Sequence, residues 1–115
     1  KNVDWVFYPG LEGNPYYANQ KKYMPKGAGG VLTFGVKGGT QAGKKFISEL
    51  KLASLAVHVG DIRTCVLHPS STTHRQLSEA DQIKAGIKPE LIRVSVGCED
   101  IDDIIEDFNQ ALNKI

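Results

Sequence analysis

The segment from Glu99 to Ile115 limits what this chain can fold into. Ile101, Ile104, Ile105, Phe108, Leu112 and Ile115 recur at intervals of three and four residues, so a helix gathers them on one face. Glu99 and Asp100 precede them and suit the positive end of the helix dipole. Burying six large side chains contributes on the order of 10 kcal/mol as an upper bound. That gain requires a second layer for the helix to pack on.

Strand-like segments upstream supply that layer. In "VDWVFY", alternation puts Val3, Trp5 and Phe7 on one face and Asp4, Val6 and Tyr8 on the other. Pro9-Gly10 and Glu12-Gly13 end it, and Asn14 followed by Pro15 predicts a capped short helix over residues 16–23. "VLTFGV" is a second strand. Thr40 can cap a helix from Gln41 to about Leu52, with Ala42, Phe46, Ile47 and Leu50 inward. "SLAVHV" and "TCVLH" read as short strands around a Gly60-Asp61 turn. Ser78 with Asp81 makes a capping box for a small helix closed by Gly86 and Pro89, and "LIRVSV" is the last strand. The order β-α-β-α-β-β-α-β-α predicts a two-layer α/β domain.

Bulk properties narrow the function classes. The chain has 115 residues, 41% hydrophobic and 23% charged, which suits one ordinary globular domain. A formal charge of +1 gives no electrostatic footprint for nucleic acid or an anionic membrane. No apolar run approaches the roughly 20 residues of a membrane helix. Cys65 and Cys98 are too few for a disulfide framework, so reduced thiols in a cytoplasmic protein are expected. The chain is already strand-like near Lys1, and the polypeptide is expected to continue upstream.

Four groups of residues invite a chemical reading. Gly38, Gly43 and Lys44 reproduce G-x-x-x-x-G-K between a strand and a helix, as in a phosphate-binding loop. Lys45, however, stands where Ser or Thr would place a hydroxyl on Mg²⁺. The plainer reading gives Gly38-Gly39 to a tight turn and Gly43 to close helix–sheet packing. Cys65, His68, His74 and Cys98 could be drawn as a metal site, but no C-x-x-C or H-x-x-x-H spacing supports one. Ser70 or Ser71 with His74 and Asp81 could be drawn as a hydrolase, without a G-x-S-x-G elbow around the serines. Arg93 interrupts the apolar strand "LIRVSV". It either faces solvent and an acidic partner, which periodicity alone favours, or forks onto a carboxylate or phosphate in a cleft.

Three stretches carry a resemblance to a known family: "GGVLTFGVKGGTQAGKKFISELKLASLAVHVGD", "TCVLHPSSTTHRQLSEADQIKAGI" and "LIRVSVGCEDIDDIIEDFNQAL". Together with "VDWVFYPGL" they resemble the C-terminal domain of the trans-sulfuration family of pyridoxal-phosphate enzymes. Within it, "HVGDIRTCVLHPSSTTHRQLS" is most similar to the O-acetylhomoserine sulfhydrylase branch. The resemblance implies a small, mostly antiparallel sheet with helices on one side, as in the C-terminal domain of fold-type I pyridoxal-phosphate enzymes. Residues 1–115 would then form a single domain of a larger enzyme.

The resemblance also implies site residues. Arg93 matches the arginine that holds the substrate's α-carboxylate, and His58 and Val59 match a segment beside that carboxylate. His58 stands where relatives commonly carry Asn or Ser, so a side-chain contact there would become an imidazole contact. Thr73 is expected near the substrate pocket. The Schiff-base lysine and the pyridoxal 5'-phosphate site are implied to lie in an N-terminal domain outside this sequence. The implied parent is a homotetramer that makes homocysteine from O-acetylhomoserine and sulfide, and this chain alone is expected to be inactive. Alternatives are the same domain of a cystathionine γ-synthase or a methionine γ-lyase. From a different class, a stand-alone nucleotide- or ligand-binding module stays open.

Overall fold

A computed structural model describes all of residues 1–115. The chain forms β1 (Val3–Phe7), α1 (Tyr17–Tyr23), β2 (Val31–Val36), α2 (Gly39–Glu49) and β3 (Ser54–Leu55). β4 (Cys65–Leu67), α3 (Glu79–Lys84), β5 (Leu91–Ser95) and α4 (Ile101–Leu112) follow, with a 3-10 turn at Pro69–Ser71. The sheet order is β1-β2-β5-β4-β3. The pairs β1–β2, β2–β5 and β4–β5 are antiparallel, and only β3–β4 is parallel. The expected mixed α/β architecture is therefore observed.

One face of the sheet carries the core. Phe34, Val36, Val66, Ile92 and Val94 project toward α2 and α4, which add Phe46 and Ala111. Three aromatic rings join the layers. Phe46 lies edge-on to Phe34 and to Phe108, each at 5.6 Å between centroids. Such T-shaped contacts set a preferred geometry beyond simple area burial.

The sheet and the two long helices depart from expectation at four points. First, the alternation of β1 is broken by an irregularity between Val3 and Trp5: Val3 pairs with Val36 and Trp5 with Gly35. Val3 and Val6 consequently share the helical side, while Trp5 lies across Gly35 on the other and donates from Nε1 to Glu90 Oε1 at 3.1 Å. An extra residue in one strand reverses the facing of those that follow.

Second, α2 begins at Gly39, with Gly38 rather than Thr40 at the cap position. Gly38 and Gly39 have φ of +102° and +62°, so the turn uses backbone conformations that side chains disfavour. Third, "SLAVHV" is a strand only at Ser54–Leu55 and pairs parallel to β4 instead of forming a hairpin with it. The Ala56 N–H still reaches the Val66 carbonyl, and the residues that follow run to the end of β5, where the Gly60 N–H meets Ser95 Oγ. Fourth, α4 is rotated relative to its apolar stripe. Ile104, Asp107 and Ala111 are buried, whereas Ile101 and Ile105 are 60% and 50% exposed.

Of the two expected side-chain caps, one is observed. Ser78 Oγ accepts the Asp81 N–H at 3.2 Å. Asn14 does not cap α1, whose N-cap is Tyr16 without a side-chain bond; its Oδ1 accepts the Tyr16 N–H and its carbonyl the Tyr17 N–H in the turn before the helix. No helix is long and apolar enough to cross a membrane.

Candidate functional site

Ile92 and Val94 point into the helical layer, so alternation along β5 sends Arg93 to the opposite face. Its neighbours across the ladder are Thr33 and Leu67. Nη2 of Arg93 donates to the Val57 carbonyl at 2.8 Å and approaches the His58 carbonyl at 3.5 Å. Its Nε is buried without a partner. Arg93 takes part in none of the chain's ion pairs. The surface salt bridge that periodicity favoured is therefore not made. What the fold provides is a half-buried guanidinium held along one edge by backbone oxygens.

The segment over residues 57–63 is fixed against β5 by several contacts. The Gly60 N–H donates to Ser95 Oγ at 3.1 Å, and the Cys98 N–H donates to the Ile62 carbonyl at 2.8 Å. Gly97 is required there, because a Cβ would fall 2.4 Å from the Ile62 oxygen. Thr64 anchors the end of the segment. Glu99 accepts its N–H at 2.6 Å and its hydroxyl at 2.8 Å, and the Gly97 N–H donates to the same hydroxyl. These bonds, the Thr64 N–H foremost, hold the Glu99 carboxyl below its usual range.

His58 turns its ring away from Arg93. Its Nδ1 lies 3.2 Å from Asp61 Oδ2, and the same carboxylate binds the Arg63 guanidinium through Nε and Nη2. Arg63 pulls the Asp61 carboxyl far below the ordinary aspartate range. Only the backbone of His58 thus approaches Arg93, and that approach does not depend on which side chain occupies the position. Val59 is 62% exposed on the same segment and has no polar contact with Arg93.

Thr73 lies on the turn after β4. With Val57, Ser71, Thr72, Arg75 and Gln76 it lines an open cavity of about 450 Å³. Arg93 and Thr73 are therefore linked through Val57, whose carbonyl holds one and whose residue borders the cavity with the other. Thr73 Oγ1 is 2.9 Å from His74 Nδ1.

The other chemical groupings are not assembled. Both ring nitrogens of His68 are occupied, by Ser71 Oγ and the Pro89 carbonyl, each at 2.7 Å. Ser71 faces His68 rather than His74, and Asp81 pairs with Ser78. Lys44 is exposed, and Gly43 packs on the His68 ring. The sequence offered His68 only as part of a metal site and Glu99 only as a favourable charge before a helix, and it gave no role to Thr64. A lone buried histidine and an acid preceding a helix have ordinary structural readings, and only their three-dimensional partners distinguish them.

The profile of the Cys/Met metabolism PLP-dependent enzyme family matches residues 1–113. The chain belongs to this family. It is similar to the O-acetyl-L-homoserine sulfhydrylase 1 of Thermus thermophilus, with 50% identity over 96% of this chain and 26% of that protein. It is also 47% identical to the L-methionine gamma-lyase of Fusobacterium nucleatum, over 98% of this chain and 28% of the relative. A crystal structure from Campylobacter jejuni superposes with a TM-score of 0.88 at 39% identity, covering 97% of this chain and 27% of that one. It is described as a candidate O-acetylhomoserine (thiol)-lyase and contains N'-pyridoxyl-lysine-5'-monophosphate. The chain spans about a quarter of the length of the curated relatives it matches.

The family is PLP-dependent, but this chain offers no lysine suited to hold that cofactor. Every lysine of the chain is exposed, and none lines the cavity beside Val57 and Thr73. A Schiff-base lysine needs a cleft that encloses the ring it holds. This chain's own residues do not fit that role.

Proposed function

We propose that Arg93 grips the α-carboxylate of an amino-acid substrate in a PLP-dependent γ-replacement enzyme. The proposed substrates are O-acetylhomoserine and sulfide, and the products homocysteine and acetate. Residues 1–115 would form the C-terminal, substrate-binding domain. A separate N-terminal domain would hold the cofactor, within a cytoplasmic homotetramer. The likeness to a sulfhydrylase and to an O-acetylhomoserine (thiol)-lyase supports this choice.

One observation carries the reading: a half-buried guanidinium is fixed by the Val57 carbonyl and has no acidic partner in the chain. A guanidinium whose Nε is buried without a partner and which has no acid to pair with is poised for an external anion. A carboxylate can take parallel hydrogen bonds from its planar fork. Because the Val57 carbonyl fixes the fork, a bound carboxylate would fix the orientation of the substrate's Cα as well. Thr73 would border the same pocket, and His58 and Val59 would shape its edge through their backbone.

The test is Arg93→Ala and Arg93→Lys in the full-length protein. The expected result is a fall in kcat/KM for O-acetylhomoserine on the order of 10- to 100-fold for Ala, as for loss of a charge-assisted bond of ~1.5–3 kcal/mol. Unchanged kcat/KM in a folded variant rejects the clamp. A second reading, a methionine γ-lyase, is favoured by the 47% identity to one. It predicts turnover of methionine without sulfide, which a substrate screen distinguishes.

A further inference from the structure

We infer that His68 is a positioning residue for the carboxylate site, holding the segment that bears Arg93 and the turn that bears Thr73 in a fixed relation. The inference rests on the reading of Arg93 and Thr73 given above. His68 follows β4 and is 1% exposed. Its Nε2 lies 2.7 Å from the carbonyl of Pro89, two residues before β5 begins at Leu91. Its Nδ1 lies 2.7 Å from Ser71 Oγ, and its own carbonyl accepts the Thr72 hydroxyl at 2.8 Å. One side of the ring is thus tied to the approach to Arg93, and the other to the turn that leads into Thr73.

The chemistry of the two partners fixes the ring. A proline carbonyl can only accept, so Nε2 carries the proton and Nδ1 receives the Ser71 hydroxyl. Burial also lowers the pKa of the imidazole, in keeping with a neutral ring. Few side chains combine a donor and an acceptor at separate points of one rigid plane. Helix α2 accommodates the ring at Gly43, where a Cβ would fall 2.7 Å from Cδ2 and Nε2. The ring is therefore held by Ser71 and Pro89 and packed against Gly43. Cutting either hydrogen bond frees one arm of the site relative to the other, while the guanidinium and the threonine themselves stay in the chain.

Steady-state kinetics on the full-length protein test this, with O-acetylhomoserine and sulfide varied separately. His68→Gln keeps a donor near Nε2, and His68→Asn keeps an acceptor near Nδ1. Each should raise KM for O-acetylhomoserine about fivefold or more, as for loss of one hydrogen bond, with kcat and KM for sulfide within about twofold. In an Arg93→Lys background the His68 effect should shrink below about twofold, because both act on the same contact. Ser71→Ala, which removes one of the two bonds to the ring, should show the same KM change and decides the matter if the His68 variants fail to fold. A lower kcat or melting temperature with KM unchanged, while Arg93→Lys raises KM, overturns the positioning role alone. Arg93→Lys leaving KM unchanged overturns the carboxylate reading and this inference with it.

Discussion

Gly43 of α2 faces the imidazole of His68 so closely that a Cβ on the glycine would fall 2.7 Å from two ring atoms. The second glycine of the G-x-x-x-x-G-K stretch is therefore explained by packing. Its neighbours Gly38 and Gly39 are explained by positive φ.

This contact predicts the sign of Gly43→Ala. In an unobstructed helix the change should stabilise by about 1 kcal/mol, because alanine loses less backbone entropy. Here the methyl meets a ring held at both nitrogens, and overpacking typically costs about 1–3 kcal/mol. The net expectation is destabilisation, seen as a lower thermal midpoint of this chain, with Gly43→Val worse. A raised midpoint for Gly43→Ala would show that the His68 ring yields, and would remove this account of the glycine.

The same pair marks where sequence reading reaches its limit. Gly43 was legible as a packing glycine from its place in a helical pattern, but its partner was not. Local periodicity located each helix to within a few residues, and the apolar runs located β2 and β5. It failed where a non-local contact decides. The β1 irregularity depends on the register with β2, and the parallel pairing of β3 depends on the path of residues 57–63 across β5. Arg93 was legible as an anomaly in an apolar strand. That its partner is the Val57 carbonyl, and not a carboxylate, required the fold.

Asp107 accounts for another such failure and gives a pH prediction. It was absent from the expected inward face of α4, yet it is 6% exposed. Oδ1 accepts the Lys51 N–H at 2.7 Å, and Oδ2 accepts those of Leu52 and Ala53 at 3.0 and 2.9 Å. Burial by itself would raise its pKa, but the N–H groups of Ala53, Lys51 and Leu52 together lower it. A carboxyl with a lowered folded pKa stabilises the fold above its unfolded value, about 3.9. That contribution is lost as pH falls through the lower folded value. Asp107→Ala should therefore destabilise the chain by about 3 kcal/mol at neutral pH, leaving three donors unpaired. The difference from the parent should narrow in acid titrations below about pH 4. A gap that stays constant down to the acid unfolding transition would mean the carboxylate charge contributes nothing.

The rotation of α4 that buries Asp107 also separates two isoleucines that periodicity treats as equals. Ile104 is 7% exposed, whereas Ile101 is 60% exposed, although both border the apolar groove between α4 and the strands β1, β2 and β5. Ile104→Ala deletes buried methyl groups beneath the helix and should cost about 2–4 kcal/mol, including the void left behind. Ile101→Ala removes a side chain already in contact with water and should cost under about 1 kcal/mol. Denaturant unfolding of the two variants, read at unchanged slope, separates these values. Equal losses would mean that α4 packs by its sequence stripe, with Ile101 and Ile105 inward, and that Asp107 does not set its rotation.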